Sequence, residues 1–319
     1  MLSDLEKAIL ATICYFDIFD FPLTSLEVWK WLFFEKEKEG KVSFRQVQAS
    51  LRQSSTLHDL IDQKNGFYYL KNRERIVISR LENYKVAERK FKKAKRFIKV
   101  LRCIPFIKMV AVCNTLAFSN AGDYSDIDFF IITQKGRIWL ARFWASLLPR
   151  IFGLRPTKSD TQDKLCLTFF IAEDQLNIES LQYDSFDIYL AHWIAQVMPI
   201  YDRGKTYHRF IEANNWASHH FPNFLESSVA PRRKVEDNWL SRIIKLPGQI
   251  VAFSFLGHWQ ESIIKKVQLK GLPDELKQIA NQDNKVVIND SVLKFHDNDR
   301  RGKFKEMFQE KMEKLITNS

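Results

Sequence analysis

The sequence predicts an α/β protein of three parts, with a mixed-sheet core between a helical N-terminal module and an α-helical C-terminal region. Three observations carry this. From 105 to about 180, apolar β-branched runs flank a single helical run. Before that, short capped helical segments end in a hairpin signal. From about 184 onward, helical spacing dominates. The expected divisions are 1–72 for the module, 73–104 for a basic linking helix, 105–182 for the core and 183–319 for the C-terminal region.

Composition narrows the class. Hydrophobic residues make up 45% of the chain, enough to build packed cores and to argue against disorder. The net charge of +11 favours anionic partners such as nucleotides, nucleic acid or an acidic membrane surface, and equally serves solubility. The four cysteines are scattered without a CxxC pair, and the start "MLSDLEKAILATICYFDIFDFP" lacks a basic signal-peptide head. Both features read as a reduced, cytoplasmic protein. No uncharged run reaches the ~20 residues that a bilayer span needs. The closest segment, "IIKLPGQIVAFSFLGHW", reads as a helix in a core or at an interface.

In the first part, "SDLEKAILATICYF" offers Ser3 or Asp4 as N-cap and helical spacing at Leu5, Ile9, Ile13 and Phe16. "TSLEVWKWLFF" begins with a Thr24–Glu27 capping box, and "SFRQVQASLRQ" forms a third helix after Ser43. Asn65-Gly66 between apolar runs predicts a type I′ hairpin. Three helices and a two-stranded wing describe a winged-helix-like module. Its third helix would read DNA, although it carries only Arg45 and Arg52; such modules also bind proteins.

Residues 71–102 hold 13 Lys or Arg against three Glu. Apolar positions at Ile76, Leu81, Tyr84, Phe91, Ala94 and Ile98 give this helix one packing face. It links two parts, and its charge supplies a positive rim for a polyanion site.

The core reads strand ("IKMVAVCNT"), turn, strand ("DIDFFIIT"), helix ("GRIWLARFWASLLPRIF", with Trp139, Phe143, Leu147 and Leu148 at helical spacing) and strand ("KLCLTFFIAED"). On a strand, residues i and i+2 share a face. Asp126 and Asp128 therefore present two carboxylates on one side, while Ile127 and the following "FFII" anchor the strand. Mg²⁺, or Mn²⁺, wants such hard oxygen ligands, and phosphoryl or nucleotidyl transfer uses the ion to neutralise the triphosphate. Upstream, "CNTLAF" forms a polar turn able to aim backbone N–H groups and the Thr115 hydroxyl at phosphate oxygens.

"NTLAFSNAGDYSDIDFFII" resembles the signature of the polymerase-β-type nucleotidyltransferase superfamily: a strand, G-S, about ten residues, then S-D-x-D and an apolar strand. The tail "YSDIDFFI" matches directly. At the head, Asn114 and Thr115 stand where the family has Gly and Ser; Asn tolerates a left-handed backbone and Thr keeps a hydroxyl. The resemblance spans roughly 108–175. It implies a nucleotidyl group moved from an NTP to an acceptor (nucleic acid, protein or small molecule), with Asp126 and Asp128 as catalytic metal ligands and Asn114, Thr115 and Ser125 along the phosphate side. It also implies a third carboxylate on a neighbouring strand as base. That strand carries Thr168 in its middle, Asp163 before it, and Glu173 and Asp174 after it. Two readings stay open: Asp163 or an acid from elsewhere serves as base, or the site binds nucleotide and metal as a degenerate regulator.

Other polar groups have simpler readings. His219-His220 sit adjacent and cannot face one another on a helix, and His192 reads as a core histidine. Asp297 or Asp299 caps the last helix, with Arg300 and Arg301 as alternative phosphate contacts. The Trp/Arg-rich helix from Arg137 to Arg150 covers the sheet rather than lying on a membrane.

Overall fold

Capping boxes start the early helices where the spacings place them. Ser3 and Glu6 exchange hydrogen bonds at the start of α1 (Asp4–Asp17). Thr24 and Glu27 do so at α2 (Ser25–Lys30), and Ser43 and Gln46 at α3 (Phe44–Gln53). The computed structural model describes residues 2–317 except 39, 158–159 and 253–254, with backbone alone at 148, 249, 251, 252, 255 and 256. The side chain of Leu148, expected on the core helix, thus lies outside the described residues.

A fourth short helix, α4 (Ser55–Leu60), leads into β2 (Ile61–Lys64) and β3 (Phe67–Leu70). Asn65 and Gly66 take φ of +53° and +81°, the left-handed pair that a type I′ turn requires. β1 (Leu23–Thr24) adds to β3, giving a small antiparallel sheet in the order β1-β3-β2.

The basic helix is α5 (Ile76–Leu101). Then come β4 (Ile107–Val112), the single turn α6 (Asn114–Ala117), β5 (Ile127–Thr133), α7 (Ile138–Ile151) and β6 (Leu165–Ala172), the predicted order. A 3-10 turn (Glu179–Leu181) precedes α8 (Ile188–Gln196). Next are β7 (Met198–Asp202), α9 (Thr206–Ala213), α10 (Asn215–Ser218), α11 (Trp239–Ala252), α12 (Phe255–Lys270) and α13 (Asp274–Ile279). The chain closes with β8 (Val286–Ile288), β9 (Val292–Phe295) and α14 (Arg301–Thr317).

The second sheet runs β7-β4-β5-β6-β9-β8; β5 and β6 are parallel and every other pair antiparallel. The fold is thus mixed α/β with open mixed sheets. One expectation needs correcting. Half of this sheet comes from 183–319, the region read as helical, because β7, β8 and β9 return to pair with β4 and β6. β7 was hidden in "VMPIYD", which continues the apolar run of α8. Its Pro199 is tolerated because β7 is an edge strand.

The two sheet faces bury separate clusters. On one, Met109, Ala111, Phe130, Ile132, Phe169 and Ile171 merge with α1, α8, α14 and the whole N-terminal module. The module is therefore packed into the core rather than strung from it. Asn223 ties the backbones of Val42 and Trp29, and Lys311 reaches buried Asp17. On the other face, Val110, Phe129, Ile131 and Phe170 meet α5 and α7. The buried stripe of α5 (Ala87, Phe91, Ala94, Ile98, Leu101) makes it a covering helix as well as a link. α7 covers the sheet, as expected.

Candidate metal centre

The turn before β5 is shaped by hydrogen bonds that fix Asp126 and Asp128. Ser125 Oγ donates to the Gly122 carbonyl (2.9 Å), closing the turn. Lys90, fully buried on α5, donates to the Ser125 carbonyl (2.6 Å), to the Asp123 carbonyl (3.1 Å) and to Asp163 Oδ1 (2.8 Å). One lysine thereby pins the loop before β5 to the loop before β6. In the sequence Lys90 is one of 13 basic residues in the stretch 71–102, and only its placement on the buried stripe distinguishes it.

Asp126 stands one residue before β5 and Asp128 is the strand's second residue. Both are half-buried. In the parallel β5–β6 register Asp128 lies opposite Cys166, and ligand atoms of Asp126, Asp128 and Cys166 all fall within 4.8 Å of one another. Neither carboxylate forms an ion pair among the described residues. Burial raises the pKa of Asp126, partly opposed by the charge of Lys90. Burial, and next the charge of Asp126, push Asp128 up to about 6. Two carboxylates held together without an ion-pair partner are an electrostatic cost that a divalent cation removes.

Asn114 carries the clearest positioning role. Its φ of +55° confirms the left-handed backbone expected of an Asn in place of Gly. Its Nδ2 donates to Asp128 Oδ2 (2.8 Å), while Oδ1 accepts from Tyr189 Oη (3.1 Å) and Trp193 Nε1 (3.2 Å) on α8. These two donors fix which way the amide faces, so the N–H side is aimed at the carboxylate. The Cys113 backbone N–H adds a bond to the Asp128 carbonyl (3.2 Å). α6 is one turn long, so the dipole expected upstream is small. The Thr115 hydroxyl has no hydrogen-bond partner among the described residues. The Ser125 hydroxyl is spent on its own turn and shapes the site through the backbone.

The residues considered for a third acid lie elsewhere. Asp163 is bound to Lys90 and near Arg89, and although burial opposes it, these cations hold its carboxyl below the usual range, the wrong direction for a base. Glu173 pairs with Lys108 and Arg209, and Asp174 with Lys135, beyond the far end of β6. The position opposite Asp128 is a thiol whose pKa burial drives well above its ordinary value, so Cys166 stays protonated and is a poor partner for a hard cation. A bulge follows in β6, since Asp128 pairs with Cys166 but Phe130 with Phe169. There the Thr168 hydroxyl lies 3.3 Å from Cys166 Sγ and 3.4 Å from His296 Nε2. Burial lowers His296 to about 4, leaving a neutral imidazole. Sequence reasoning missed His296; the only hint was the polar stretch "KFHDNDRR".

The remaining polar candidates are structural. His192 is buried and stacks on Tyr15 at 3.5 Å. His220 bonds Phe34 and its neighbour His219 lies near Glu37. Arg301 is buried between Asp187 (2.8 Å) and Asp299 (2.7 Å), and Asp299 accepts from the Arg301 backbone N–H (3.0 Å) at the start of α14. Arg301 is therefore unavailable to a substrate phosphate. No family model, curated protein or solved structure matches the chain.

Proposed function

We propose that the protein is a metal-dependent nucleotidyltransferase with a polymerase-β-type core and a winged-helix-like N-terminal module. The observation that supports it best is the carboxylate pair at the start of a rigid strand, without an ion-pair partner, its Asp128 oriented by Asn114 and preceded by a left-handed polar turn. The donor set fits the ion: two hard carboxylates with no cation of their own suit Mg²⁺ or Mn²⁺. Asp126 and Asp128 hold it. When bound, the ion neutralises triphosphate charge and lowers the barrier to attack at phosphorus.

The chain's own groups do the rest. Asn114 keeps Asp128 facing the site through a fixed amide. Thr115 offers a free hydroxyl to phosphate oxygen. Lys90 holds the two loops in register so that the carboxylates need not move on binding. His296, reached from Cys166 through Thr168, stays neutral and positions Thr168 rather than serving as a base, since burial lowers it to about 4.

A second reading has its own support. With Cys166 in place of an acid, the same site can bind NTP and metal as a regulator, its N-terminal module contacting DNA through exposed Arg45 and Arg52, or contacting a protein. Incubating the purified protein with α-labelled NTPs, Mg²⁺ and cell extract separates the two. The transferase reading predicts a labelled product that disappears with Asp126→Asn/Asp128→Asn. NTP binding without label transfer to any fraction favours the regulator, and equal NTP–Mg²⁺ binding by wild type and variant defeats both.

A further inference from the structure

α11 is built inside out. Amphipathic helices on protein surfaces normally turn an apolar stripe to the core and polar residues to water. Here the buried positions are Ser241 and Lys245, with Gly248 close against the core. Lys245 Nζ bonds Tyr201 Oη (2.8 Å) and Asp237 Oδ1 (2.5 Å), and Ser241 Oγ bonds the same carboxylate (3.2 Å). Gly248 permits close approach, since a Cβ there would lie 2.6 Å from the Pro105 ring. With polar residues anchoring the helix, its apolar residues point outward: Trp239 is 72% exposed, Ile243 58% and Ile250 66%, with Leu240, Ile244 and Leu246 beside them.

The patch does not end with α11. α12 packs on both α11 and α7. It exposes Trp259, Ile263 and Val267 along one stripe, and the end of α7 exposes Trp144 and Ile151. So many large apolar side chains on one layer mark an interaction surface.

The exposed charges on the helices of this layer are basic. α7 and α11 contain no acidic residue. The one acid of α12 is Glu261, whose carboxylate accepts from the Trp139 and Leu140 backbone N–H groups at 2.7 and 3.0 Å and is half-buried. Arg242, Lys266, Lys270 and Arg150 are exposed. Beside the layer, α5 runs toward Pro105 with Arg96 and Lys99 exposed. Exposed tryptophan and isoleucine with basic rims are the complement of an anionic bilayer surface, where indole rings sit at headgroup level and Lys/Arg meet phosphate; the exposed acids at its margin, Asp290 and Glu236, are each paired with a lysine, Lys265 and Lys234.

We infer that the α7–α11–α12 face docks the protein peripherally on a membrane surface containing anionic lipid. No helix among the described residues is long and apolar enough to cross a bilayer, so the helices lie in the interface plane. This inference stands independently of the proposed activity, because none of its residues belongs to the carboxylate site.

Vesicle flotation of the full chain tests it, using phosphatidylcholine alone and phosphatidylcholine mixed with phosphatidylglycerol. The wild type is expected to float with the anionic vesicles and to release with salt. The variant Trp239→Ser/Ile243→Ser/Ile250→Ser should lose about tenfold or more in partitioning, and Arg242→Gln/Lys266→Gln about tenfold on anionic vesicles only. Circular dichroism and a cooperative thermal melt at the wild-type midpoint show whether each variant is folded. Wild type left unbound, or a folded triple variant that floats equally, overturns the inference. So does a wild-type dimer in sedimentation that the triple substitution converts to monomer, which would assign the face to a second copy of this chain.

Discussion

Two acidic clusters on this molecule have opposite electrostatics. Asp187 and Asp299, almost wholly buried, are matched by buried Arg301 and Lys294. Although burial opposes it, Arg301 first and then Lys294 hold Asp299 down to about 2. Asp126 and Asp128 are less deeply buried yet have no cation paired to them, and both are pushed up. The difference separates structure from function. The first cluster is complete in itself and fastens α8, β9 and α14. The second has no ion-pair partner of its own, which is the feature the proposed metal site rests on.

The largest expected effect lies in the paired cluster. Arg301→Ala leaves two carboxylates buried beside a single lysine and should cost about 3–5 kcal/mol of stability, read as a lowered denaturation midpoint. A loss below ~1 kcal/mol would remove the contrast between the clusters.

The carboxylate pair should behave oppositely. Because Asp128 moves from an ordinary 3.8 up to about 6, the folded, metal-free protein holds that proton more tightly than the unfolded chain. Its stabilising contribution is fully present below 3.8 and is lost as pH rises through about 6. Melting in EDTA should therefore show a decline across that window, on the order of 3 kcal/mol. Asp128→Asn should flatten the decline and raise metal-free stability at neutral pH by on the order of 1–2 kcal/mol, whereas Arg301→Ala should leave the decline intact. A smaller effect sharpens the account of orientation. Asn114→Ala removes the hydrogen bond that aims Asp128 and should weaken Mn²⁺ binding about 10–100-fold without touching either carboxylate. Isothermal titration checks this, and unchanged affinity would make Asn114 a backbone residue only.

Much of the paired fold was legible because its signals are local. The Thr24–Glu27 capping box, the Asn65-Gly66 hairpin and the strand after Asp126 each depend on residues within a few positions. What stayed hidden is non-local. β9 pairs with β6 across more than a hundred residues, so nothing local in "VLKF" says that it joins this sheet. The identity of Cys166 as the neighbour of Asp128 depends on parallel register and a bulge, neither of which has a composition signature. The acid pair itself was readable from i, i+2 spacing, and a left-handed Asn114 was allowed for by the Gly that the resembled signature has there. The partners that orient Asn114, Tyr189 and Trp193, lie about 75 residues away. The inversion of α11 was only half legible: its apolar content pointed to a core or an interface, and only the Asp237–Lys245–Tyr201 anchor decides for the interface.

The central claim is that Asp126 and Asp128 wait for a divalent cation, and Mn²⁺ titration followed by electron paramagnetic resonance tests it most directly. At neutral pH the wild type is predicted to bind Mn²⁺ in competition with Mg²⁺, to bind more tightly when NTP is added, and to lose binding as pH falls below about 6. Asp126→Asn/Asp128→Asn should abolish it. Equal Mn²⁺ binding by wild type and variant, or none by the wild type with NTP present, would contradict the account.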